Sequence, residues 1–372
     1  MLVALNAEPL FQRVPTGAGV YTLALCQTYA ELGLADQVTL FHAEHPLVPP
    51  DVAALPMARR DFGIPRDVLY KSWIETRRPS PQSVTGPVDV VHAPGPALPP
   101  GGGAPVVATI HDLAPLRFAE RYPREARLTL KRGVQFAARD AARIICPSEF
   151  TAREVGQLLD VPNQRLRVVP HGVGLPPVDP FDAQQFVESR GISEPFVLWV
   201  GTQEERKNVL GVLEAFARVR RVRSDVCLVL HGPQGWLGES VAAGIRKRGL
   251  ADAVLVSEGG LTRRELAWLY TRAAVFVFPS IYEGFGLPVL EAMAAGAPVV
   301  TSDRAALPES AGDAALLVDP TNVDMIGDAV LRLLDDEALR GELIARGRDR
   351  AVGFTWENTA RRTWEIYGEL VG

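Results

Sequence analysis

Short runs rich in Val, Ile and Leu alternate along the whole chain with longer stretches whose apolar residues recur at helical spacing. Few folds accept that order. Strand, helix and strand in repetition is the unit of a parallel sheet with helices covering both faces. Strands are expected at Val3 to Asn6, Gln37 to His42, Val88 to His92, Val106 to Ile110, Arg143 to Cys146 and Leu166 to Val169. A second set follows at Phe196 to Val200, Val226 to Leu230, Ala253 to Val256, Val275 to Phe278, Val299 to Thr301 and Leu316 to Val318. A helix from about Ala18 to Leu32, with Gly33 as its C-terminal cap, joins the first two strands. The fold class is therefore α/β, with two Rossmann-like, doubly wound parallel-sheet domains expected to face each other across a cleft.

At 372 residues the chain exceeds one ordinary hydrophobic core and suits two domains. The polar, proline-bounded segment 176–195 precedes the apolar run PFVLWVG and reads as a linker between domains 1–175 and 196–354. Helices are expected at Asn322 to Leu334, Glu337 to Val352 and Trp356 to Tyr367. The last of these, within 355–372, has no strand after it and is expected to cross back to the first domain.

No apolar stretch approaches the roughly 20 residues of a membrane-spanning helix, and MLVALNAEPL, lacking a basic leader, reads as a first strand rather than an export signal. Cys26, Cys146 and Cys227 show no metal-ligand spacing and suit a reducing compartment. A cytoplasmic protein is expected. A net charge of −5 argues against a nucleic-acid partner, although residues 1–175 carry 18 Lys and Arg against 16 Asp and Glu, and the remainder 21 against 28. Within Arg117 to Arg143 there are eight basic and three acidic residues, with Arg121, Arg124 and Lys131 near one helical face and Arg132, Arg139 and Arg143 near another. Such a run is either a solvated helix or a contact for an anionic membrane surface, which would place the protein peripherally at the inner face of the cell membrane.

Ligands of open α/β sheets bind beyond the carboxyl ends of the strands, so the loops leaving the strands are where chemistry is sought. The segment SIYEGFGLPVLEAMAAGAPVV, Ser280 to Val300, follows the strand ending at Phe278. Gly284 and Gly286 permit close backbone approach, Pro288 suits a helix start, and the amides of Phe285 to Leu287 open an anion site. Glu283 lies in that loop. Glu291 is expected in the first helical turn, where both carboxylates can bind hydroxyls beside a bound anion. A second loop, VGTQEERKNVLG, runs from Gly201 to a helix with Asn208 as its N-cap. Arg206 and Lys207 precede that cap, and cations there oppose the helix dipole, so a shared phosphate explains them better than local stability does. Their competing role is pairing with Glu204 and Glu205. In ATIHDLAPL, His111 and Asp112 follow a strand; His111 can reach a sugar hydroxyl, and Asp112 can orient its loop. Gly17 and Gly19 open the first long helix, and Thr22 stands where a dinucleotide fingerprint needs its third glycine.

Taken together these segments resemble the retaining glycosyltransferases of family 4, which have the GT-B architecture. The resemblance spans nearly the whole chain and is densest from Gly201 to Pro320. It rests on the E-x7-E pair Glu283 and Glu291, RKN at 206–208, HDL at 111–113, PSEFT at 147–151, PHGV at 170–173, LPES at 307–310 and FTWENTA at 354–360. It implies an acceptor-binding first domain and a donor-binding second one. Glu291 would hold the nucleotide ribose; Glu283 and the amides of Phe285, Gly286 and Leu287 would contact the donor sugar; and His111 would approach its C6 hydroxyl. Gly17 to Gly19 would close over the pyrophosphate, and Val256 to Leu261 would meet the base. Thr202 stands where some relatives carry an arginine, so phosphate binding would rest more heavily on Arg206 and Lys207.

The expected reaction moves a hexose, with GDP-mannose favoured and a UDP-sugar such as UDP-glucose as alternative, to a glycan or lipid-linked acceptor in cell-surface polysaccharide synthesis. Departure of the diphosphate would be stabilised electrostatically by Arg206, Lys207 and helix N-termini. No D-x-D pair occurs, so metal independence and no cofactor are expected. The other classes left open are a nucleotide-sugar epimerase and a non-catalytic nucleotide- or glycan-binding scaffold.

Overall fold

The computed structural model describes residues 1–12, 16–95, 97–121, 124–235 and 239–372. The chain forms two compact units: Met1–Gly172 with Trp356–Gly372, and Val173–Thr355.

In the first unit the strands are β1 (Val3–Asn6), β2 (Val38–Glu44), β3 (Ala58–Pro65), β4 (Val90–Ala93), β5 (Val106–Thr109), β6 (Arg143–Cys146) and β7 (Leu166–Val168). They lie in the order β3-β2-β1-β4-β5-β6-β7, every pair parallel. In the second unit β8 (Phe196–Val200), β9 (Cys227–His231), β10 (Val254–Ser257), β11 (Val275–Phe278), β12 (Val299–Ser302) and β13 (Leu316–Val318) lie in the order β10-β9-β8-β11-β12-β13, again all parallel. Central strands such as β1, β8 and β11 are buried along their whole length, because helices cover both faces of a doubly wound sheet. The direction of winding reverses between β1 and β4 in one sheet and between β8 and β11 in the other, which are the points where such folds bind ligands.

The sequence did not disclose β3. Its residues Arg59, Arg60 and Asp61 sit on an edge, where charge blocks pairing with other chains and the continuous apolar run that marks inner strands is absent. Segment 176–195 is not a plain linker. Pro180–Ser189 is a helix, with the Asp179 carboxylate accepting from the Phe181 amide at 2.8 Å and with Ala183, Phe186 and Val187 buried in the core of the second unit. Its apolar positions recur at helical spacing but are few, so the polar composition hid them. The final helix, Trp356–Val371, packs in the first unit through Ala360, Thr363, Ile366 and Tyr367.

The basic run is also rearranged. A helix spans Arg124–Asp140, but Arg143 lies beyond it, in β6, and is paired with Glu369 at 2.9 Å, so it shares no helical face with Arg132 and Arg139. Arg117 pairs with the buried Glu154, and Arg139 with Asp140. Lys131 and Arg132 are exposed, while the side chains of Arg121 and Arg124 lie outside the described residues.

Candidate active site

In the second unit the loops leaving β8 and β11 meet. β8 delivers Gly201, whose amide donates to the His231 carbonyl, and a single 3-10 turn, Glu205–Lys207, then presents Arg206 and Lys207. The Arg206 carbonyl accepts from the Ile281 amide at 2.7 Å and from the Ser280 hydroxyl at 2.8 Å, tying this turn to the loop after β11. Glu283 sits buried at the junction. One of its oxygens receives Lys207 Nζ at 2.6 Å and Ser280 Oγ at 2.7 Å, and the other receives Arg206 Nη1 at 3.3 Å. Arg206 Nε also donates to Glu204 at 2.9 Å. Burial alone would raise the Glu283 carboxyl, but Lys207 and Arg206 outweigh it and hold the group below its usual value. Burial likewise lowers Lys207, against the pull of Glu283.

Two motifs that the sequence presented separately are thus one charged cluster. The pairing with Glu204 that competed with the phosphate role is present for Arg206, alongside the contact to Glu283. Asn208 departs from expectation: it occupies the N-cap position in the left-handed conformation (φ 58°, ψ 34°) and caps nothing. Its amide nitrogen instead donates to the carbonyls of Pro279 at 3.1 Å and Pro320 at 2.6 Å, fastening two loops to the start of the helix Val209–Val222. Gly211 makes room for it, since a Cβ there would stand 2.3 Å from Asn208 Oδ1.

Gly284, Phe285 and Gly286 lead into the helix Leu287–Ala295; Phe285 is buried, and its carbonyl accepts from Ser310 Oγ. Gly286 has φ 110°, which favours glycine, and a Cβ there would also press on the Leu307 side chain at 2.7 Å. Pro288 is the second helical residue, and Glu291 is the fifth, in the second turn rather than the first. Its buried carboxylate accepts from Arg263 Nη2 at 3.1 Å and from the Tyr270 hydroxyl at 3.3 Å, while burial raises its carboxyl. Arg263 and Tyr270 were not identified from sequence, where nothing ties them to Glu291.

In the first unit β5 ends before His111. Its Nε2 lies 2.8 Å from the Pro94 carbonyl, which can only accept, so Nε2 carries the proton and Nδ1 accepts from His171 Nε2 at 3.0 Å. Burial lowers both imidazoles, and His171 strongly. Both ring nitrogens of His111 are engaged, so a sugar hydroxyl reaches this ring by exchanging with one of those partners. Asp112 accepts from the Ala114 amide at 2.9 Å and orients the loop, as expected. Gly17 is the first residue of the helix Gly17–Glu31; Gly19 donates to Thr16 Oγ1 at 3.3 Å, and a Cβ there would come within 2.9 Å of the Pro9 carbonyl.

Behind His111 runs a buried neutral chain. Tyr21 OH is 3.4 Å from Thr109 Oγ1, which is 2.9 Å from His92 Nε2; His92 Nδ1 is 2.6 Å from Tyr367 OH, which accepts from Tyr29 OH at 3.2 Å. Burial pushes His92 down to about 3.

Sequence profiles match this chain in two blocks: Glycosyltransferase Family 4 over residues 15–175 and Glycosyl transferases group 1 over residues 181–350. The O-antigen chain mannosyltransferase B of Escherichia coli is 32% identical over 265 residues, covering 70% of this chain and 69% of that protein. The serotype-specific mannosyltransferase WbdA of Escherichia coli is 32% identical over 277 residues, 71% of this chain, which spans only 33% of that protein. Among solved structures, HepE of Anabaena in complex with UDP-glucose superposes with a TM-score of 0.78 at 17% identity, covering 99% of this chain and 100% of that one.

Proposed function

This chain belongs to the group 1 glycosyl transferases with a family 4 amino-terminal half, and we propose that it transfers mannose from GDP-mannose to a hydroxyl of a glycan or lipid-linked acceptor in cell-surface polysaccharide synthesis. The observation that carries the reading is the buried cluster of Glu283, Arg206, Lys207 and Ser280 at the reversal point between β8 and β11. Two cations held at the carboxyl ends of those strands suit a diphosphate, and a carboxylate among them suits the hydroxyls of a sugar. The mannosyltransferase relatives support mannose as the transferred group.

As the bond between the anomeric carbon and the diphosphate oxygen breaks, the electron pair leaves with the phosphate. Arg206, Lys207 and the amides opening the helix Leu287–Ala295 stabilise that charge. Glu283 orients the sugar, His111 meets its C6 hydroxyl, Glu291 holds the ribose, and Gly17, Gly19 and Gly201 leave space for the donor. The proposal includes transfer without a metal ion; activity that vanished with chelator and returned with manganese would count against it. Exposed Lys131 and Arg132 favour an acceptor at an anionic surface. Vesicle binding unchanged by their replacement with Gln would remove that part.

The test is a thermal-shift screen of GDP-mannose, UDP-glucose, UDP-N-acetylglucosamine and UDP-galactose, with the wild-type chain beside Glu291→Gln, since binding to the native state raises its stability. A shift with GDP-mannose that weakens in the variant is the expected result. A shift only with a UDP-sugar would reassign the donor, turnover of the donor without any acceptor would indicate an epimerase, and binding without nucleotide release in acceptor mixtures would leave a scaffold.

A further inference from the structure

Glu291 is the one charged residue of the helix Leu287–Ala295, and its neighbours Val289, Leu290, Ala292 and Met293 are buried with it. A carboxylate placed there loses its water, so it needs donors that take the water's place. The structure supplies one to each oxygen. Arg263 Nη2 lies 3.1 Å from Oε1, and the Tyr270 hydroxyl lies 3.3 Å from Oε2. Both donors come from the helix Arg263–Arg272, and all these residues belong to the second unit.

Local stability does not explain Arg263. It is the first residue of a helix already closed by a capping box between Thr262 and Glu265, and a cation at that position opposes the helix dipole. Its Nη2 carries two hydrogens, and both are committed: one to Glu291 and one to the Gly174 carbonyl at 2.6 Å, which anchors the guanidinium. Tyr270 is fully buried, with its ring against Phe276 of β11 at 5.3 Å between centroids. A carboxylate offers two acceptor sites on each oxygen. Among the described residues these two donors fill one site apiece, so one site is left on each oxygen. Two adjacent hydroxyls, as on a ribose, match that remainder.

We infer that Arg263 and Tyr270 are positioning residues that each occupy one oxygen of Glu291 and reserve its remaining two acceptor sites for the vicinal hydroxyls of the donor's ribose. The inference rests on the reading of Glu291 as the ribose contact, and goes beyond it by naming what readies that carboxylate. Burial raises the Glu291 carboxyl, while Arg263 and then Tyr270 pull it down. A proton on Glu291 would take one of the reserved sites. The strands β11 and β12, packed against this helix, carry no charged residue. Arg348 approaches Gly296 at the end of the helix, and Arg350 donates to the Ser310 and Glu309 carbonyls, so neither is bonded to Glu291.

The experiment measures donor dissociation constants by calorimetry at pH 8 and pH 6 on the full chain, with whichever of the four nucleotide sugars stabilises the wild type. The variants are Arg263→Gln, Tyr270→Phe, Glu291→Gln and Arg263→Gln combined with Glu291→Gln. Without Arg263 the carboxyl takes up its proton at higher pH, so the affinity of Arg263→Gln relative to wild type should fall about fivefold further at pH 6 than at pH 8. Tyr270→Phe should do the same by about twofold, and the further fall should vanish in the combined variant. A ratio to wild type that is equal at both pH values, or a further fall that persists without the Glu291 carboxylate, would overturn the inference. A wild type that binds none of the four, or a Glu291→Gln variant that binds as well as wild type, instead removes the ribose reading on which it rests.

Discussion

The two units share a topology but keep their polar groups differently. In the second, the ends of β8 and β11 gather full charges: Glu204, Arg206, Glu283 and Lys207 joined in sequence by contacts of 2.9, 3.3 and 2.6 Å, and Glu291 against Arg263. In the first, the buried side chains along β4 and β5 are neutral, with Tyr21, Thr109, His92, Tyr367 and Tyr29 in one chain and His111 bonded to His171, and the Asp112 carboxylate is taken up by the Ala114 amide. Burial keeps those three histidines uncharged. A half built from countercharges is suited to exchanging one anion for another, as a leaving diphosphate requires. A half built from neutral donors and acceptors orients hydroxyls without attracting ions.

The contrast breaks first at Lys207. Replacing it with Met leaves Glu283 with a weakened partner set and the leaving charge with one cation fewer, and kcat at saturating donor is expected to fall by about 10²–10³. A variant within threefold of wild type would mean that the cluster is structural. Acid comes next. The unfolded chain takes up protons on His92, His111 and His171 below about pH 6.5, whereas the folded chain refuses them. Their contribution is therefore full above that pH and is lost as pH falls toward the folded values, which for His92 is about 3. Each histidine adds up to about 1.4 kcal/mol per pH unit to the slope in that window. Urea titrations at pH 7, 6 and 5 should show a shallower slope in His92→Phe, and identical slopes would refute the neutral-core account.

A smaller effect is expected at Gly211→Ala. Helix propensity alone would favour alanine by up to about 1 kcal/mol. Here the new methyl displaces Asn208 from its two carbonyls, so the variant should instead lose about 1–3 kcal/mol, and adding Asn208→Gly should cost little further. Smallest is Tyr367→Phe, which deprives His92 and Tyr29 of the hydroxyl they share for about 1 kcal/mol and leaves donor affinity unchanged in the same thermal-shift assay. A changed affinity would join the neutral chain to the donor site.

Strands at sheet centres were readable because burial on both faces writes itself as an uninterrupted apolar run; Phe196–Val200, Arg143–Cys146 and Val275–Phe278 have the bounds read from sequence. The edge strand β3 and the helix Pro180–Ser189 were not, since polar residues interrupt the apolar pattern of half-exposed elements. In the site, the residue types and their loops were legible one by one. Their partners were not, because Arg206 and Glu283 lie 77 residues apart, and His111 and His171 lie 60 apart. Local spacing has no means of recording such pairs. Nor could it place Glu291 a turn further into its helix, or reveal that Asn208 fastens loops instead of capping.

The first unit is discontinuous in sequence, and this has a consequence for its biosynthesis. Residues 1–172 leave the ribosome without the helix that supplies Ala360, Ile366 and Tyr367 to their core, and with His92 and Tyr29 lacking the hydroxyl they later share. The second unit, Val173–Thr355, is contiguous and has every one of its residues before that helix is translated. Although domains made during synthesis generally mature from the amino terminus onward, here the half that is begun first is the half that is finished last.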